Sequence, residues 1–105
     1  MAKTVANKVQ RTKSSAVVKK GRTILETAIE ILAREGNHAL SPHEIASKGQ
    51  RHRLLRIPRG RTKAYLNQLL QSELYNNFAY SPKPLVFRVT LGKYRAKKAG
   101  FDRIS

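Results

Sequence analysis

Apolar and polar residues first fall into a regular pattern near Thr23, and the period is that of a helix. Leu25, Ala28, Ile29 and Leu32 follow the i, i+3, i+4, i+7 spacing of one face, flanked by Ile24. Glu26, Glu30 and Arg34 line the other face at i, i+4. Thr23-Ile-Leu-Glu26 is a capping box, in which hydroxyl and carboxylate satisfy the orphan amides of a helix start. A helix is therefore predicted from Thr23 to Gly36-Asn37. Ser41-Pro-His-Glu44 is a second capping box, with proline where its missing N–H costs nothing. Leu40 and Ile45 are placed to staple that start. This helix is predicted to be short, ending near Lys48–Gly49. A third is predicted from Thr62 to about Tyr75, burying Leu66, Leu69 and Leu70. Its polar line of Lys63, Asn67 and Gln71 is expected on the opposite side. The period then drops to two: Leu85, Phe87, Val89 and Leu91 alternate with Val86, Arg88 and Thr90. With Phe78-Ala-Tyr80 as the other arm and Ser81–Pro84 as the turn, a hairpin is expected. Phe87 and Val89 would face the core and Arg88 would face outward.

Charge changes this picture. The formal net charge is +16, and it is unevenly placed. Residues 1–22 carry seven basic residues and no acid, and residues 83–105 carry seven against Asp102. Four of the six acids lie between residues 23 and 47. The segment 49–63, GQRHRLLRIPRGRTK, holds five arginines and a lysine around Leu54, Leu55 and Ile57. Pro58 and Gly60 forbid a continuous helix through it, so it is expected to be a basic loop whose apolar residues pin it to the core. Such asymmetry implies self-repulsion unless a polyanion neutralises it. Residues 1–21 lack periodicity and are expected to be a disordered basic arm. Residues 22–92 would form one folded domain. Residues 93–105 would form a basic tail in which Phe101 and Ile104 dock loosely at most.

Candidate chemistry narrows the function by elimination. The chain has no cysteine, so thiolate metal sites and disulfides are absent. His38, His43 and His52 lie at loop or cap positions without ligand spacing. There is no phosphate-cradling glycine loop and no paired carboxylate set. No enzyme, metal or cofactor is expected. No apolar run reaches the roughly 20 residues of a membrane span.

ILETAIEILAREG followed by ALSPHEI, the pair Leu54–Leu55, GRTKAYLNQLL and FAYSPKPLVFRVTL together resemble the HARE-type helix-turn-helix family. That is a winged-helix module of the Additional-sex-combs-like proteins, some restriction endonucleases and the bacterial RNA polymerase delta subunit. ALSPHEI looks like the family's Leu/Met-Thr/Ser-Pro-x-Glu/Gln-Ile signature. The likeness covers about residues 23–91, and the chain departs from it at 49–61, which is longer and more basic. The resemblance implies an α+β winged helix of three helices and a C-terminal hairpin wing; the basic tails read from the charge lie outside the family pattern. It also implies DNA binding, although some members contact proteins instead.

Helix N-termini attract phosphate, and Asn and Gln can read base edges. The expected function is therefore weakly sequence-selective binding of duplex DNA in a chromatin or transcription setting. Groove contacts are assigned to Lys63, Asn67 and Gln71. Phosphate contacts are assigned to Arg51, Arg53, Arg56, Arg59 and Arg61 in the loop, and to Lys83, Arg88, Lys93 and Arg95 around the hairpin. Lys19, Lys20, Arg22, Lys97 and Lys98 would add tail contacts. Location in a nucleus or nucleoid is expected, or in a virion if the protein is viral. Two rival readings are an RNA-binding protein, such as a ribosomal one, and an adaptor for an acidic protein partner.

Overall fold

In the computed structural model, residues 17–19 and 21–104 are described. They form α1 (Ile24–Arg34), α2 (Pro42–Arg51), α3 (Lys63–Tyr80), β1 (Val86–Thr90), β2 (Lys93–Ala96) and α4 (Lys98–Ile104). The class is α+β, with four helices and a two-stranded antiparallel sheet among the described residues.

The first two helices start where their caps require. The Thr23 hydroxyl accepts from the Glu26 amide at 3.0 Å, and the Glu26 carboxylate accepts from the Thr23 amide at 3.1 Å. Ser41 and Glu44 repeat the exchange at 3.2 and 2.9 Å. Each pairing satisfies donors that a helix start leaves open. α1 buries Ile24, Ala28, Ile29, Ile31 and Leu32 and packs against the other three helices. α3 crosses it with Leu66, Leu70 and Leu74 fully buried at i, i+4, i+8.

The hairpin differs from the expectation. Phe78-Ala-Tyr80 is the last turn of α3, not a strand. Nothing between Tyr75 and Tyr80 breaks a helix. The helix stops because Pro82 forces Ser81 into the extended region, at φ −76° and ψ 136°. Both strands therefore lie further along, turning at Leu91–Gly92, where Gly92 takes φ +78°. The faces of β1 are also reversed. Val86 is fully buried, opposite Ala96, whereas Val89 and Leu91 are exposed. Tertiary hydrogen bonding sets this register. The Asn77 carboxamide oxygen accepts from the amides of Leu85 (2.7 Å) and Val86 (3.2 Å). Asn37 pairs with both backbone groups of Ala96 at 3.0 and 3.1 Å. Leu40 exchanges both backbone hydrogen bonds with Tyr94, adding a one-residue rung beside β2.

Residues 93–105 were expected as a tail, yet Lys93–Ala96 is the second strand and Lys98–Ile104 is a helix on α1. Gly100 permits the docking. A Cβ there would stand 2.7 Å from the Leu85 carbonyl oxygen and 3.2 Å from Ile29. The folded unit thus runs past residue 92. The expected disordered arm lies mostly outside the described residues, but its end is ordered. Val17 and Val18 are buried in the core, and Val18 bridges Leu55.

Candidate nucleic-acid interface

The basic loop is held from beneath. α2 runs into it, with Gly49 packed so closely that an added Cβ would stand 2.5 Å from Leu55 Cδ1 and 2.7 Å from Ile31 Cδ1. The Gly49 carbonyl accepts from the amides of Leu54 (2.8 Å) and Leu55 (3.1 Å). Arg53 turns the chain with a left-handed φ of 60°. A non-glycine residue there costs about 1–2 kcal/mol, held by burial of Leu54 and Leu55 on either side of the turn's exit. From the opposite side, the Val17 carbonyl accepts from the Arg56 amide at 3.0 Å. The apolar residues do pin the segment, and Arg51, Arg53, Arg56, Arg59 and Arg61 are all exposed above it.

α3 does not present the expected polar line. Lys63 Nζ donates to Ser47 Oγ of α2, and Asn67 Nδ2 lies 3.3 Å from His43 Nδ1. Asn67 Oδ1 is buried without a hydrogen-bond partner. Only Gln71 of the three is exposed. The reason is helical geometry. Lys63, Asn67 and Gln71 each precede a buried leucine by three residues, and residues three apart are neighbours on a helix. The line therefore borders the core stripe instead of opposing it. The outward face of α3 is uncharged: Ala64, Gln68, Gln71, Ser72, Tyr75 and Asn76. Its only charges are Lys63, turned inward, and Glu73.

The hairpin lies along the C-terminal half of α3. Arg88 shares the inner face of β1 with Val86, not the outer face expected for it. Its guanidinium lies 5.3 Å from the Phe78 ring centre and 5.8 Å from that of Tyr75. Near the other end of α3, Arg61 covers Tyr65 at 4.7 Å. Ten residues separate the tyrosines, about 15 Å along the axis. Arg95 covers Phe87 at 5.9 Å and donates to the Asn37 carbonyl at 2.9 Å. Lys83 is exposed but sits between α3 and β1, not at the hairpin tip. The tip is Leu91, 90% exposed.

Pairing of charges sorts the cations. Glu30 holds Arg22 (3.3 Å) and Arg34 (2.9 Å), and Glu26 lies 3.7 Å from Arg103. Glu35 holds His52 at 2.8 Å and Lys48 at 3.3 Å, and these two partners keep its carboxyl below the usual carboxylate range. The Ser41 amide does the same for Glu44, with Lys93 adding to it from 4.0 Å. Acids thus neutralise the surface of α1 and its neighbours. No described carboxylate reaches Arg51, Arg53, Arg59, Arg61, Lys83, Arg88 or Arg95 in a salt bridge. Of the tail residues, Lys19, Lys97 and Lys98 are exposed, Arg22 is paired, and Lys20 lies outside the described residues.

Sequence reasoning missed Tyr75 and Tyr80, exposed at 39% and 74% with ring centres 6.0 Å apart. Ending the helix at Tyr75 concealed them. Continuing its 3.6-residue period to Pro82 puts Tyr75 on the face opposite the leucines. Among the described residues no three His, Cys, Asp or Glu side chains gather as a metal site, and no helix is long and apolar enough to cross a membrane. Comparison of the chain with protein-family models, curated proteins and solved structures yields no match.

Proposed function

We propose that this protein binds nucleic acid through a winged-helix module of HARE type. The basic loop and the hairpin would grip phosphates on either side of the outward face of α3. One observation carries the reading: Arg51, Arg53, Arg59 and Arg61 of the loop, Arg88 and Arg95 of the hairpin and Lys83 before it are exposed and in no described salt bridge, while Glu26, Glu30, Glu35 and Glu44 hold other cations. Seven cations held out this way repel one another, and a polyanion relieves that repulsion. Duplex DNA is the favoured ligand, because an uncharged helix face between two cationic flanks suits a groove between two phosphate rows. Phosphate contacts outnumber base-reading groups on this surface, so sequence preference is weak. Location with the chromosome and the absence of catalysis belong to the same proposal.

RNA is the second reading, favoured by exposed Tyr75 and Tyr80, since unpaired bases stack on aromatic rings. A salt titration with duplex DNA and a structured RNA of equal length decides between them. Each phosphate neutralised adds about −0.9 to the log–log slope, so six to eight contacts predict roughly −5 to −7. Replacing Arg51, Arg59 and Arg61 together by Gln makes the slope shallower by about 3. A slope near zero, or one that the triple variant leaves unchanged, rejects the proposed surface.

A further inference from the structure

Between α3 and the hairpin lies a cleft of about 400 Å³ that phosphate gripping does not use. It is lined by Tyr75, Arg88, Gln71, Leu91, Gly92, Pro42 and Tyr94. No acid lines it. Tyr94 is 3% exposed, with its ring edge-on to Phe78 at 6.4 Å, so that wall is part of the packed core. Arg88 is positioned by two aromatic rings, 5.3 and 5.8 Å away, instead of by a carboxylate. Leu91 stands 90% exposed beside this cleft. A large apolar side chain this exposed, among cationic and aromatic groups, adds little to the core.

These groups match a planar heteroaromatic ring. Aromatic and guanidinium planes offer stacking surfaces. A carboxamide such as that of Gln71 can pair with adenine in two hydrogen bonds. A base within a stacked duplex exposes only its edges, so stacking groups gain nothing from it. The same groups gain fully from a base that is already unpaired, and the arginines nearby would hold its flanking phosphates. We propose that this cleft binds one unpaired purine of a nucleic-acid strand. Tyr75 and Arg88 stack on it, Gln71 contacts its edge and Leu91 closes the outer side. The inference rests on the nucleic-acid reading above and adds to it a preference for bulged or otherwise unpaired sites.

The test uses the full chain and two short DNA duplexes of the same sequence, one fully paired and one with a single unpaired 2-aminopurine at its centre. Stacking predicts at least about fivefold tighter binding of the bulged duplex, with quenching of the 2-aminopurine emission. Tyr75→Leu, which keeps apolar bulk, and Leu91→Ala, which lies outside the core, are expected to bring the two affinities together. In Leu91→Ala, which alters neither the outward face of α3 nor a cation, affinity for the paired duplex and its salt slope stay as in the parent. Equal affinities in the parent with a steep salt slope overturn the cleft and leave the phosphate-gripping reading intact. Failure to bind either duplex overturns both. Adenosine monophosphate is the second probe: free nucleotide bound as tightly as the bulged duplex overturns the assignment to a strand. Apolar capture by Leu91 alone, with Leu91→Ala weakening both duplexes equally and Tyr75→Leu silent, overturns base stacking.

Discussion

Gly49→Ala puts two physical effects in opposition, and the structure decides the sign. Gly49 lies inside α2, three residues before its C-cap at His52. Helix propensity alone predicts that alanine there stabilises by about 1 kcal/mol. Packing predicts the reverse. The new methyl would stand 2.5 and 2.8 Å from Leu55 Cδ1 and Cγ, and 2.7 Å from Ile31 Cδ1. Leu55 and Ile31 are 4% and 0% exposed, on the loop after α2 and on α1, so moving either one disturbs the packing of the core. Overpacking of this kind costs about 1–3 kcal/mol. Subtracting the propensity gain leaves a net loss of up to about 2 kcal/mol. At about 4–8 °C per kcal/mol for a domain of this size, Tm should fall by several degrees. Differential scanning calorimetry reads this directly. Because Leu55 carries the bridge to Val18, amide exchange at Leu55 and Arg56 should quicken in the same variant. An unchanged or raised Tm would refute the claim that Gly49 is there for close approach between α2 and the arginine loop.

Two further outcomes are expected. Asn77→Ala leaves the Leu85 and Val86 amides without their acceptor, a loss of about 1–3 kcal/mol. Exchange at those two amides should rise while the Leu66 and Leu70 amides keep their protection, and uniform loss of protection would show that Asn77 does not act locally. Glu35 is held below its usual value of 4.5 by His52 and Lys48. A lowered folded value means its stabilisation is present above pH 4.5 and is lost as pH falls through the folded value. Urea midpoints of the parent and of Glu35→Gln should therefore differ at neutral pH and converge in acid. A constant difference would show that the carboxylate charge contributes nothing.

Much of the candidate site was legible in the chain. Leu54, Leu55 and Ile57 marked the loop as anchored, and its arginines stand exposed as their setting implied. Lys63 and Asn67 differ from the expectation because polarity alone does not imply exposure. Both are polar, yet both border the leucine stripe and find partners on α2. Arg88 was misplaced because a period of two identifies alternation without saying which set faces inward. The absolute face of β1 depends on Asn77, eight residues upstream of Leu85.

Local chemistry alone therefore determined the starts of α1 and α2, the leucine stripe of α3 and the charge imbalance. Capping boxes, helical period and composition act within a few residues, so they can be read without knowing what packs where. Tertiary structure decided the rest. Pro82, not Tyr75, ends α3; Asn37 and Asn77 set the strand register; and Gly100 admits α4 against Leu85. Val17 and Val18 lie in the core, where Val18 bridges Leu55 and the Val17 carbonyl accepts from the Arg56 amide. Each of these depends on contacts between residues distant in sequence or on how a neighbour limits space. No window of the chain contains both partners of such a contact, and the pairing exists only once the helices have packed.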